Sequence, residues 1–315
     1  MVQFLTMNEA YHTLFELVKD FGFSTNPRGK KCTEVRPGAF RIIDSRKTLY
    51  TGKTRNLNYA FFAIETLCYI GGLHGREHAY LMCNVNPNMI AFLNEQTHIF
   101  DGAYGKAIGD QLPIVADILE KDKWSRQAII NIWSHDTKRK SKDVPCTCVL
   151  QFFVEPDNDG EDCLSMSVYM RSNDLNWGVP YDVPAFASIQ MILAATLGMA
   201  IGRYNHTAGS LHFYDNDTSQ SEKPPNVPAI DAEEWSDRPE FEYLPIPIVP
   251  HTIGIDGYAM SYIHTIQSEI RSLLSHITLR ILEGDKLRNI QYPPQYMNNQ
   301  YLAHWISIIA GKSNR

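Results

Sequence analysis

Pro145-Cys146-Thr147-Cys148-Val149-Leu150-Gln151-Phe152-Phe153-Val154 opens the stretch whose reading decides the fold. It continues as Met170-Arg171-Ser172-Asn173-Asp174-Leu175-Asn176-Trp177-Gly178-Val179-Pro180-Tyr181-Asp182 and closes on His206-Thr207-Ala208-Gly209-Ser210-Leu211-His212-Phe213-Tyr214. Between the first two segments Leu164, Met166, Val168 and Met170 alternate with Ser165, Ser167 and Tyr169. That period of two marks a strand with one buried face. Residues 207–214 read as another strand, with Ser210, His212 and Tyr214 on one side. Pro184 suits the first turn of a helix that runs to about Leu197 and stops at Gly198. A thiol, an Arg-Ser pair, a polar turn and a His/Tyr pair therefore sit on or beside short strands, as the parts of one pocket would.

Working outward, Tyr11, Leu14, Phe15, Val18 and Phe21 recur at helical spacing, with Asn8 as a cap. A basic loop follows, Arg28-Gly29-Lys30-Lys31, which reads as a solvated turn or as a phosphate lid. Residues 56–70 form a helix with a stripe of Leu57, Phe61, Ile64, Leu67 and Tyr69, ended by Gly71-Gly72. Glu65 lies inside that apolar run. Spacing alone favours a surface place for it; a buried carboxylate of raised pKa, suited to proton transfer, is the alternative. His74 and His78 share a helical spacing, but Gly75-Arg76-Glu77 between them does not make a zinc-protease pattern, and no metal is expected. Residues 112–133 read as helix then strand, 258–283 as a long helix, and 300–311 as a short one with Leu302, Trp305, Ile306 and Ile309 on its apolar side. Residues 215–250 are acidic and proline-rich without periodicity, as a lid or an insertion is.

The chain has 315 residues, 44% hydrophobic and 20% charged, with a formal net charge of −6. That balance argues against a broad nucleic-acid footprint, which needs a basic face. It leaves room for a small anionic ligand, because a few convergent arginines hold one phosphate. No run of about 18 apolar residues is present, and the start lacks the pattern of a secretory signal. Six cysteines without paired CxxC clusters read as reduced thiols, and the expected compartment is the cytoplasm.

These segments together resemble the thymidylate synthase and deoxycytidylate hydroxymethylase family. Pro145-Cys146 with Gln151-Phe152 resembles its nucleophile strand. Arg171-Ser172-x-Asp174 and Gly178-x-Pro180-x-Asp182 resemble its central turn, and Thr207-x-Gly209 with His212-x-Tyr214 its sugar-holding strand. Upstream, Arg28, Glu65, Tyr104-Gly105 and Ser125-Arg126 fall in the family's order and spacing. Two positions depart from the pattern: Gln127 replaces a second arginine, and Thr147 replaces the histidine after the nucleophile. The folate-closing tail of the synthases is not recognisable after residue 215.

The resemblance implies an α+β thymidylate synthase fold, a mixed twisted sheet flanked by helices in a sheet-on-sheet homodimer. Residues 1–215 would be the catalytic core, and 216–315 an acidic Pro-rich loop plus a helical extension of the same domain. Cys146 would add to carbon 6 of a pyrimidine ring so that carbon 5 attacks a one-carbon electrophile, while Cys148 reads as inert core. Arg28, Arg171 and Ser172 would hold the 5′-phosphate, with Arg126 reaching the partner subunit's phosphate. His212 and Tyr214 would bind the sugar, and Asp174, Gly178 and Glu65 would face 5,10-methylenetetrahydrofolate. Glu65 would also manage protons, with Tyr104 assisting removal of the carbon 5 proton.

Asp182 stands where the uracil-specific enzymes of the family have asparagine. An ionised aspartate only accepts, which suits the amino group or a protonated N3 of cytosine and leaves uracil O4 without a donor. Cytosine is therefore expected, and loss of the closing tail favours water over hydride as the final reactant. The expected product is 5-hydroxymethyl-dCMP. A dUMP-using synthase or hydroxymethylase, a dCMP methylase, a CMP hydroxymethylase and a non-catalytic nucleotide- or RNA-binding relative are the alternatives.

Overall fold

Alternation of side chains builds the central sheet of the protein, seen in a computed structural model that describes residues 1–52, 55, 57–134, 141–157, 159–215, 244 and 257–311. In chain order the strands are β1 (Val2–Phe4), β2 (Phe23–Thr25), β3 (Cys32–Val35), β4 (Gly38–Ile42) and β5 (Ile129–Asn131), then β6 (Thr147–Pro156), β7 (Asp162–Met170), β8 (Asn173–Asp174), β9 (Ala200–Ala208) and β10 (Leu211–Tyr214). The helices are α1 (Met7–Phe21), α2 (Tyr59–Gly71), α3 (Arg76–Val85), α4 (Gly105–Lys121), α5 (Val179–Thr196), α6 (Tyr258–Leu282), α7 (Pro294–Asn298) and α8 (Gln300–Ile309).

A six-stranded mixed sheet runs β1-β4-β9-β7-β6-β5, and a four-stranded one β2-β3-β10-β8. Phe40, His206, Val168, Leu150 and Ile130 are neighbours across five strands of the large sheet, and none is more than 2% exposed. The next row, Arg41, Asn205, Ser167, Gln151 and Ile129, points to the opposite face, because a step of one residue reverses every side chain. Burying each large apolar side chain of the inner face contributes about 1.5–3 kcal/mol.

α5 is apolar on all sides and buried nearly throughout, which a helix sandwiched inside a domain requires. α2 packs against α4, α5, α6 and α8. The crossing of α2 and α4 is close: a Cβ on Gly109 would come within 2.4 Å of Gly72 Cα. Ile270 of α6 seats against Gly71, and Gln267 Nε2 donates to Gly109 O at 2.8 Å. The described C-terminal helices are thus packed onto the same core as α2.

Several sequence expectations need correction. Phe21 is 81% exposed, because the apolar stripe of α1 ends at Val18. α5 begins at Val179, five residues before Pro184; Pro180 occupies its first turn and Pro184 lies inside the helix. Asp182 is then a first-turn residue. Residues 207–214 are not one strand. β9 ends at Ala208 in the large sheet and β10 starts at Leu211 in the small one, and Gly209 sits at the break, where a Cβ would meet Arg171 O at 2.9 Å. The acidic 215–250 segment lies, apart from Asp215 and Leu244, outside the described residues.

Candidate active site

Cys146 lies immediately before β6, where a bulge at Cys148 sets two residues against one of β7. Bulges re-aim the strand end, and Cys148 is the half-buried bulge residue, not core. The backbone N–H groups of Cys146 and Thr147 donate to Tyr104 Oη at 3.1 and 3.3 Å. The Tyr104 ring is itself held between Tyr69 of α2, 5.3 Å away, and Phe186 of α5, 6.3 Å away. Three elements distant in sequence therefore fix the nucleophile's backbone. Burial pushes the Tyr104 phenol well up, so its proton stays on.

Arg171 clamps the loop from the other side. Its guanidinium donates to Pro145 O at 2.8 Å and Val144 O at 3.0 Å, and its Nη2 lies 3.5 Å from Cys146 Sγ. It also stacks 5.7 Å from the Trp133 ring. Burial pushes the Cys146 thiol up; Arg171 pulls it down, Asp182 and Asp143 add to the rise, and Arg28 lowers it. The resting group is consequently a thiol, and the guanidinium by itself does not ionise it. Arg28 stands in the left-handed region at φ 53° beside Gly29, a backbone state uncommon outside glycine. Its charge is felt by both Cys146 and Tyr214.

Glu65 is not on the outer surface. It is half-buried on α2, one turn before Tyr69, whose hydroxyl it engages. Burial raises its pKa to about 7, against which the Tyr69 hydrogen bond works. Asp182 is pushed well up by burial and then by Glu65, with a hydrogen bond from Asn173 opposing. No arginine or lysine is hydrogen-bonded to either acid among the described residues, so burial favours the neutral form of Asp182.

Asn173 itself is 2% exposed. Its Nδ2 lies 2.9 Å from Met170 Sδ and 3.2 Å from His206 Nε2, whose other ring nitrogen meets Tyr204 Oη at 3.0 Å. Burial drives the His206 pKa down to about 3, so the ring is neutral. Gly178 is required by this packing: a Cβ there would sit 1.9 Å from Asn173 Oδ1.

The small sheet supplies the other wall. Asp174 Oδ1 accepts from the backbone N–H groups of Asn176 (2.5 Å) and Trp177 (3.0 Å), and Oδ2 lies 3.9 Å from His212 Nε2. His212 meets Tyr214 edge-on at 5.1 Å, with Lys30 over the Tyr214 ring at 5.8 Å. Ser172 is half-buried next to Arg171. Arg126 is exposed ahead of the edge strand β5, and no contact among the described residues brings its side chain to this chain's pocket. His74 is exposed, and His78 is buried against Phe100.

Arg55 and Asn173 carry no sequence signal. Arg55 is 8% exposed, donates to Tyr11 Oη at 2.9 Å, and stacks 5.5 Å from the Trp177 ring. Only its position before an apolar helix could have drawn attention to it.

Residues 82–230 match the family model described as Thymidylate synthase, a range that starts after Arg28 and Glu65. The mixed sheets flanked by helices are consistent with that fold, as expected from the sequence. The chain is 29% identical over 229 residues to the deoxyuridylate hydroxymethyltransferase of Bacillus phage SP01, an alignment covering 66% of this chain and 57% of that protein. The chain therefore spans little more than half the length of the curated relative it matches.

Proposed function

We propose that this chain, of which residues 82–230 match the thymidylate synthase model, transfers a one-carbon unit to carbon 5 of a pyrimidine nucleotide. The observation that carries this reading is that Cys146 feels the charges of Arg171 and Asp182, and Asp182 in turn that of Glu65. Cys146 adds to ring carbon 6 once its thiol loses a proton, and Arg171 stabilises the thiolate at 3.5 Å. Glu65, poised at about 7, exchanges protons at neutral pH, the best condition for a general acid-base. Tyr104 holds the nucleophile's backbone and keeps a proton for the site.

The co-substrate in this reading is 5,10-methylenetetrahydrofolate, which supplies an electrophilic one-carbon unit. The residues suit it: Trp177 offers a flat, 37% exposed face, and behind it lies the cation of Arg55, whose buried Nε has no partner among the described residues. Asp174 and Gly178 line the same turn. Arg28, Arg171 and Ser172 hold the phosphate, and His212 and Tyr214 the sugar. Arg126, exposed and outside this chain's pocket, is assigned to a second subunit's phosphate in a homodimer packed through the outer face of the large sheet. No described helix is long and apolar enough to cross a membrane; the proposed compartment is the cytoplasm.

We assign the base as cytosine and the final reactant as water, giving 5-hydroxymethyl-dCMP. In its protonated form Asp182 pairs with cytosine by donating its O–H to N3 and accepting from the 4-amino group. The same neutral carboxyl also accepts from uracil N3–H and donates to O4, so protonation weakens the discrimination expected of an ionised aspartate. With the relative named for deoxyuridylate, this favours dUMP as the second reading. Incubation with dCMP, dUMP or CMP plus methylenetetrahydrofolate, with products weighed by mass spectrometry, tests all of these. A 5-hydroxymethyl product from dCMP alone is the expected result; turnover of dUMP alone overturns the base assignment, and no turnover of any overturns the function.

A further inference from the structure

Glu34 was not singled out by any motif, yet it is among the most buried charged groups of the chain, 1% exposed in the middle of β3. It stands directly opposite His212 of β10, which in turn stands opposite Asp174 of β8, so the three share one row and one face of the small sheet. Arg36 Nη2 and Nε donate to Glu34 Oε1 and Oε2 at 2.5 and 2.8 Å. Ser210, in the turn between β9 and β10, donates its hydroxyl to Oε2 and lies 3.4 Å from His212 Nδ1.

For a neutral His212 ring, proton counting along this row has one solution. Burial alone would raise the Glu34 pKa, but hydrogen bonds from Arg36, Ser210 and Thr25 hold it below the ordinary glutamate value. The carboxylate therefore only accepts, and the single Ser210 proton goes to it. Ser210 Oγ is left as an acceptor toward His212, so the ring proton belongs on Nδ1. Nε2 then carries a lone pair, 3.9 Å from Asp174 Oδ2 and beyond hydrogen-bonding reach of it. A lone pair beside a carboxylate demands a donor from whatever binds there.

We propose that Glu34, acting through Ser210, is a positioning residue that holds the His212 proton on Nδ1 and presents Nε2 as an acceptor for a ligand hydroxyl. The ligand assignment rests on the reading above, in which that hydroxyl belongs to the nucleotide sugar; the tautomer does not. At this corner the site selects a nucleotide with a free hydroxyl and disfavours one whose sugar oxygen carries only acceptors.

The test reads the His212 ring nitrogens in the full-length, ligand-free 15N-labelled protein by long-range 1H–15N correlation, the signals assigned with His212→Gln. Wild type should show a protonated Nδ1 and a bare Nε2. Ser210→Ala should move the proton to Nε2, Glu34→Ala should abolish the single preference, and Ser210→Thr, which keeps a hydroxyl, should retain the wild-type pattern. With the nucleotide that turns over, Ser210→Ala should raise KM about tenfold, the loss of roughly one hydrogen bond, with kcat changed less than about twofold. Ser210→Thr should restore KM. A protonated Nε2 in wild type, or an unchanged pattern in Ser210→Ala, overturns the proposal. Because the nitrogen signals need no substrate, failure of the assigned reaction leaves them readable and the two ideas separable.

Discussion

Two pairs of acids flank the candidate site, and their surroundings treat a negative charge differently. Glu65 and Asp182 lie on helices α2 and α5, in a recess walled by Tyr69, Tyr104 and Phe186, with no arginine or lysine hydrogen-bonded to either among the described residues. Glu34 and Asp174 lie on strands of the small sheet, where a guanidinium, a hydroxyl and backbone N–H groups converge on them. Burial penalises the ionised form in both places. Donors reverse the penalty at Glu34 and fail to do so at Glu65. The helix wall is thus a proton store and the sheet wall a set of fixed acceptors. A reaction that moves protons on a base while gripping a sugar needs that division.

The sharpest way to break the comparison is at the thiol between the two walls. Cys146→Ala should lower carbon 5 tritium release from the nucleotide by about four orders of magnitude, as losses of a covalent nucleophile do. Nucleotide binding, read by calorimetry, should survive.

Glu65 sharpens it next. A carboxyl near 7 when folded and near its ordinary 4.5 when unfolded binds more protons in the folded chain between those values. Stability should therefore fall as pH rises from about 4.5 to about 7 and level off above. Glu65→Gln removes that slope, so urea denaturation should show the variant gaining up to about 3 kcal/mol on wild type across the window. A constant difference between the two proteins would place the carboxyl in water.

Asp182→Asn replaces the titratable carboxyl with a permanent amide. The ratio of kcat/KM for dUMP over dCMP should rise about tenfold or more at pH values where Asp182 is ionised, since its carboxylate leaves uracil O4 without a donor and one unsatisfied buried group costs about 1–3 kcal/mol. An unchanged ratio would mean that Asp182 does not read the base.

The smallest effect is expected at the sheet wall. Glu34→Gln should cost about 1–2 kcal/mol of stability at neutral pH, because Arg36 is half-exposed and water replaces part of its pairing. Glu34 has a depressed pKa, so its contribution is present above about 4.5 and lost as pH falls through the lower folded value. The variant and wild type should converge in acid, the opposite slope to that of Glu65.

How much of this was legible beforehand differs element by element. The alternation in Leu164, Met166, Val168 and Met170 announced β7, because a strand's pattern is local and its period is two. The helix around Phe61 and Leu67 was equally plain. The break at Gly209 was not, since nothing in 207–214 says that its two ends pair with strands in different sheets. α5 hid its start because a helix buried on every side has no polar stripe to betray its period. Glu65 was misplaced on the surface by its spacing, while Arg55, Asn173 and Glu34 passed without notice.

The amino-acid order by itself determined which chemical groups are present, their strand and helix periods, and the spacing of the residues around Cys146 that points to one family. Only the tertiary structure decided which acids burial pushes toward the neutral form and which are held toward the ionised form by donors. Charge state depends on burial and on donors brought from distant parts of the chain, as Ser210 and Arg36 are brought to Glu34, and no local window of residues contains that information.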